Sequence, residues 1–157
     1  MMEHHTIPPF YNKDSKVLIL GSFPSVASRS EGFYYAHPQN RFWPMLSQIY
    51  DEEIQDKKEF LRTHKIALFD VCASCSITGS SDATIKDVTP NDMNEILNIS
   101  PIKLIILNGK TASNLFYKYM KDIKIEAITL PSTSPANATV SLEELIQKYK
   151  IMKEFTK

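Results

Sequence analysis

Three short apolar runs and a fourth, mixed one, each stopped abruptly by a glycine, a proline or a polar residue, constrain this chain more than anything else in it. Val17-Leu18-Ile19-Leu20 ends at Gly21, Ile66-Ala67-Leu68-Phe69 at Asp70, Lys103-Leu104-Ile105-Ile106-Leu107 at Asn108-Gly109, and the run 125–130 at Pro131. Runs that are apolar throughout, rather than alternating, belong to strands covered on both faces, as in parallel sheets. Helical spacing fills the intervals: 42–50, the charged 52–63, a helix opened by Thr89-Pro90-Asn91-Asp92 with Thr89 or Asn91 as cap and running through Ile99, and 111–120. The last helix opens on a capping box, Ser141 with Glu144, and sets Leu142, Leu145, Ile146, Tyr149 and Met152 on one face. Strand alternating with helix predicts an α/β domain of about four parallel strands, with right-handed crossovers laying helices on both faces. Residues 1–15, with Pro8-Pro9 and no periodicity, are expected to form an extended arm over the surface with a mobile tip.

A chain of 157 residues can bury one core, so a single domain over 1–157 is expected. Eighteen Lys and Arg against eighteen Asp and Glu leave no global field to draw the protein onto nucleic acid or membrane, so any polyanion has to be held by local contacts. Apolar runs of four or five residues are too short to span a bilayer, and MMEHHTIPPF lacks a secretory pattern, which makes the cytosol the expected compartment.

In a parallel sheet the four polar strand ends open onto one edge, where such sheets bind ligands. Past Gly21, Ser22, Ser25, Ser28 and Ser30 offer hydroxyls, Phe33, Tyr34 and Tyr35 flat faces, and His37, Asn40 and Arg41 directional donors. Flat faces beside directional polar groups suit a heteroaromatic ring. Plainer readings stand beside these: Asp70 and Ser132-Thr133-Ser134 as cap and turn, His37 as a hydrogen-bonded packing residue, and Tyr34, Phe42 and Trp43 as core. Asn108-Gly109-Lys110-Thr111 is not a phosphate loop, because Leu104 stands where that motif needs glycine. Ser22 is not a nucleophile elbow, because Pro24 occupies the place of its second glycine. Cys72 and Cys75 form a C-x-x-C that reads as a redox dithiol, half a metal site completed by His4 and His5, or two buried structural thiols; the last is favoured, since a closed site wants four ligands.

Taken together, GSFPS, GFYYAHPQNRFW, LFDVCASCSITGSSDATI and LPSTSPANA resemble the uracil-DNA glycosylase superfamily, most closely its hypoxanthine-DNA (deoxyinosine) glycosylase branch. The mismatch-specific uracil-DNA glycosylases come next, and they also resemble VSLEELIQKY. The resemblance covers about residues 7–155. It implies a three-layer α/β/α sandwich around a four-stranded parallel sheet. It implies hydrolysis of the N-glycosidic bond of hypoxanthine or uracil in DNA by a monofunctional enzyme without metal or cofactor, with a monomer expected. Ser22, Phe23, Phe33, Tyr35 and Asp70 would form the base pocket, Tyr35 stacking on the flipped ring with Phe33 as its substitute and Asp70 facing the base edge. Phe23 stands where many members carry a catalytic Asp or Asn, and the Asn of the HPxN segment, here Asn40, would position the water. An amide is no strong base, so slow turnover is expected. Ser132, Thr133, Ser134, Pro135, Ala136 and Asn137 would pinch DNA phosphates, Asn137 lying near the residue that fills the vacated stack. Arg29 and Arg41, which flank the site, read either as phosphate contacts or as solvent-exposed charge. Two other readings stay open: a catalytically silent nucleic-acid-binding module that kept the pocket, and a thiol redox protein using Cys72 and Cys75.

Overall fold

The computed structural model describes residues 2–157. In chain order the elements are β1 (Met2–His4), β2 (Val17–Gly21), α1 (Val26–Glu31), α2 (Phe42–Ile49), α3 (Lys57–Thr63), β3 (Ile66–Asp70), β4 (Cys72–Ser76), β5 (Lys86–Pro90), α4 (Asn94–Ile99), β6 (Leu104–Asn108), α5 (Lys110–Tyr119), β7 (Ala127–Leu130) and α6 (Leu142–Tyr149). Short 3-10 turns follow at Asp82–Thr84 and Lys150–Glu154.

The four runs form one all-parallel sheet in the order β3-β2-β6-β7. Every residue of β2, β3 and β6 is buried, the reason these strands carry no polar alternation. Helices cover the sheet as an α/β/α sandwich: α5 packs on β6 and β7, α3 on β3, and α2 against α6. The chain runs from β2 outward to β3, then returns across β2 to β6 and β7. The strand order therefore reverses between β2 and β6, and a crevice opens beyond the carboxyl ends of those two strands. The capping box is present as expected, with Ser141 Oγ accepting from Glu144 N at 3.1 Å. Among the described residues no helix is long and apolar enough to cross a membrane.

A second sheet, absent from the sequence reading, has the antiparallel order β1-β4-β5. It corrects two expectations. The first residues are not an arm lying loosely on the surface: β1 pairs with β4, Ile7 is buried, and Phe10 and Leu68 exchange backbone hydrogen bonds of 3.0 and 2.9 Å, which caps the open edge of β3. Thr89 and Pro90 end a strand rather than open a helix. α4 starts at Asn94, whose amide donates to Asp92 Oδ1 (2.8 Å), while Asn91 Nδ2 donates to the carbonyls of Asp70 and Cys72 at 2.9 and 3.1 Å and pins the corner between β3 and β4.

Cys72 and Cys75 are free thiols buried with Phe23 and Ile77. Desolvation is the first cause raising both above the ordinary thiol range, so neither is a ready thiolate nucleophile. Replacing both by alanine is expected to cost about 1–3 kcal/mol in stability and to leave activity per folded molecule unchanged, read by thermal denaturation beside a cleavage assay.

Candidate active site

Beyond the strand ends lies a cavity of about 790 Å³, lined by residues following β2, β3, β6 and β7 and by the turn at Ser80–Ala83. Gly21 forms part of its floor. A β-carbon there would lie 2.5 Å from Asp70 Oδ1 and 3.4 Å from the Tyr35 hydroxyl, so the close approach of these two groups requires glycine. Asp70 is 3% exposed, and its Oδ2 accepts from His5 Nε2 at 2.8 Å.

Tyr35 takes a left-handed backbone, φ 55°, which a bulky residue rarely adopts. That turn stacks its ring on Phe42, with centroids 4.0 Å apart and planes 20° apart, and sends its hydroxyl to the cavity floor. The hydroxyl is fully enclosed and makes no hydrogen bond. Its neighbour Asn108 is already engaged: Oδ1 accepts from Thr133 N and Tyr149 Oη, both at 3.0 Å, and Nδ2 donates to Thr133 Oγ1 at 3.2 Å. Burial first, and the Asp70 carboxylate next, push the Tyr35 phenol far above its ordinary range, which keeps it a protonated donor.

Asn40 lines the same cavity, and its Oδ1 accepts from Phe42 N at 2.9 Å, fixing the amide at the start of α2. Held so, it presents its NH2 and the second lone pair of Oδ1. His37 Nδ1 accepts from Gln39 N (3.0 Å) and its carbonyl accepts from Asn40 N (2.9 Å), so His37 builds the turn that carries Asn40. Ser22 is buried and its Oγ donates to Asp82 Oδ1 at 2.8 Å. Phe23 borders the cavity and packs against both cysteines.

Three expected placements need correction. Phe33 does not reach the cavity; it stacks on Trp43 (6.2 Å, 20°) and meets Phe10 and Tyr34 edge-on. Arg41 turns inward, its guanidinium donating to the carbonyls of Ser134 and Asn137, each at 2.9 Å, and to that of Val140, so it shapes the loop instead of presenting charge to phosphate. Arg29 is similarly engaged by Gly79 O (2.9 Å) and Glu3. Ser132, Thr133, Ser134, Pro135, Ala136 and Asn137 all line the cavity, Thr133 1% exposed and locked to Asn108. That loop is held by short local bonds: Ser134 N to Ser132 Oγ (3.1 Å), Ala136 N to Ser134 Oγ (3.1 Å) and Asn137 Nδ2 to Ser132 O (3.0 Å).

The opposite wall of the loop is Gly109, at φ +101°, where a β-carbon would stand 2.9 Å from that of Ser132. Gly109→Ala is expected to cost about 1–3 kcal/mol and to weaken oligonucleotide binding by displacing Ser132, measured by thermal denaturation and fluorescence anisotropy.

Two site residues were missed from sequence, His5 and Asp82. Asp82 lies in an exposed turn with its carboxylate aimed at Ser22, and desolvation first raises its pKa. The six-residue polar stretch Gly79-Ser80-Ser81-Asp82-Ala83-Thr84, long for a simple reversal, was the available signal. Among the described residues no three His, Cys, Asp or Glu side chains gather as a metal ion would require.

Known proteins share this architecture. Residues 8–155 match the model of the uracil DNA glycosylase superfamily. A hypoxanthine DNA glycosylase of Methanosarcina barkeri is 32% identical over 142 residues, covering 87% of this chain and 89% of that protein. One of Methanosarcina acetivorans is 33% identical over 140 residues, covering 85% and 88%. A solution NMR structure from Methanosarcina acetivorans, of a protein assigned as a uracil DNA glycosylase, superposes with a TM-score of 0.80 at 30% identity, covering 98% of this chain and 99% of that one. The chain therefore belongs to the uracil DNA glycosylase superfamily, whose members act on DNA.

Proposed function

We propose that the protein is a monofunctional DNA glycosylase that takes a deaminated base, hypoxanthine first and uracil second, into the cavity and hydrolyses its N-glycosidic bond. The observation that carries this reading is a carboxylate oxygen, Asp70 Oδ1, standing over Gly21 at the cavity floor beside the Tyr35 ring that stacks on Phe42. Deamination converts the N=C–NH2 edge of adenine or cytosine into HN–C=O. A carboxylate is the complement of the ring N–H that deamination creates and meets a lone pair on the ring nitrogen of the intact base. The names of the two Methanosarcina relatives put hypoxanthine ahead of uracil.

A base inside a duplex is out of reach, so it must be flipped out, which favours lesions that pair weakly. The Tyr35 ring, backed by Phe42, is the stacking platform, a contact worth about 1–3 kcal/mol per base. As the bond between C1′ and the base nitrogen breaks, positive charge develops on the sugar and negative charge on the base. The amides of residues 21–23 meet the second. Asn40 orients the water whose oxygen bonds to C1′, the water's proton passing to the departing base. An amide takes no proton, so turnover is slow. Ser132, Ser134, Pro135, Ala136 and Asn137 hold the DNA backbone by hydroxyls and amides, which needs no net positive charge. Lys110 sits exposed on the rim, unlike the desolvated lysines that form Schiff bases.

The test is alkali-dependent scission of end-labelled oligonucleotides that carry one deoxyinosine, deoxyuridine, deoxyadenosine or deoxycytidine at the same position. Scission at the first two and not at the last two is expected; equal scission at all four, or none, would overturn the reading.

A further inference from the structure

An acceptor for a ring N–H does not by itself define a deaminated base. Guanine carries the same N1–H and C6=O edge as hypoxanthine and adds a 2-amino group beside it. A carboxylate with both oxygens free would take the N1–H and 2-amino hydrogens together, in the fork geometry that carboxylates form with paired N–H donors. An unobstructed Asp70 would therefore bind the normal base at least as well as the damaged one.

Asp70 is obstructed. His5 lies behind it, outside the cavity lining, and its Nε2 donates to Oδ2 at 2.8 Å with the two side chains 3% and 4% exposed. The imidazole is wedged by ring edges, with centroids 5.2 Å from Phe69 and 6.0 Å from Phe23. β1 delivers it there: His4 pairs with Ser74, and His5 N donates to Ala73 O at 2.8 Å. The remaining oxygen, Oδ1, leans over Gly21 into the cavity.

We propose that His5 is a specificity-determining residue: by holding Oδ2 on the side away from the cavity it leaves one oxygen of Asp70 facing the base, matched to the one ring N–H of hypoxanthine and denied the two-oxygen fork that the N1–H and 2-amino group of guanine would take. The 2-amino group of guanine would then enter a closed site without a partner, and an unpaired buried donor is disfavoured by about tenfold or more. His5 touches neither base nor DNA, so it acts through Asp70 alone. This inference rests on reading the cavity as a base pocket.

Oligonucleotides built otherwise of A and C, carrying one deoxyinosine or one deoxyguanosine, separate the two ideas. Single-turnover cleavage and fluorescence-anisotropy affinity are measured for wild type, His5→Ala, His5→Leu and His5→Gln, each checked for folding by thermal denaturation. His5→Ala and His5→Leu, the latter filling the space among the rings without a donor, are expected to narrow the hypoxanthine-over-guanine ratio by about tenfold or more. His5→Gln, whose amide can still donate to Oδ2, is expected to keep the wild-type ratio. An unchanged ratio in folded His5→Ala and His5→Leu, or an equal fall on both substrates, would overturn the inference and leave the glycosylase reading standing. Failure of the wild type to cleave deoxyinosine would remove the glycosylase reading instead, and the affinity ratio would then decide the role of His5.

Discussion

Asn40→Ala is expected to lower single-turnover base release by about a hundredfold or more, the usual loss when a positioned polar group at the reacting centre is removed, while affinity for lesion DNA holds. The Gly21 floor, the Tyr35 ring and Asp70 lie outside the change. The substitution also removes the bond that Asn40 Oδ1 accepts from Phe42 N at 2.9 Å, so a stability loss of about 1 kcal/mol is expected with it. Asn40→Asp separates the two roles. A carboxylate keeps the bond to Phe42 N and can also accept a proton from water, so this variant is expected to match or exceed wild type. Full cleavage in folded Asn40→Ala would move water activation elsewhere in the cavity, to Asp82 or His37.

Asp70→Ala is expected to be the second severe loss, about a hundredfold on hypoxanthine-containing DNA, because the base edge loses its acceptor and the transition state loses its anchor. It also strands His5 Nε2 in a closed space, since Asp70 Oδ2 is its partner at 2.8 Å. An orphaned buried donor costs about 1–3 kcal/mol, which for a chain of this length is a fall of roughly 2–4 °C in melting temperature per kcal/mol. Activity and stability therefore drop together in Asp70→Ala, whereas Asn40→Ala loses chiefly rate. That contrast distinguishes a residue that builds the pocket from one that serves the chemistry.

The parallel sheet was legible because β2, β3 and β6 are buried on both faces and therefore apolar at every position but their ends. β4 was not: Cys72-Ala73-Ser74-Cys75-Ser76 is part-exposed, and its pairing with β5 is interrupted by register shifts. Pro90 at the end of β5 mimics the proline that opens a helix. The site followed the same division. Asp70, Asn40 and Tyr35 lie at strand ends or in the segment next to one, where position along the chain predicts position in space. His5 reaches Asp70 across 65 residues through β1, and no local pattern reports such a contact. Phe33 and Arg41 failed for a subtler reason. Both neighbour cavity residues in sequence, yet the left-handed turn at Tyr35 and the carbonyls of residues 134, 137 and 140 aim them elsewhere.

The most direct test of the account is the identity of what leaves the DNA. Wild-type protein, in excess over a duplex with a single deoxyinosine, is incubated without alkali and the small-molecule fraction read by mass spectrometry beside the strand length. The account predicts free hypoxanthine, with the strand intact until alkali is added. No free base, from folded protein that still binds the lesion strand, would contradict it and leave a binding module that has kept a base pocket without the chemistry.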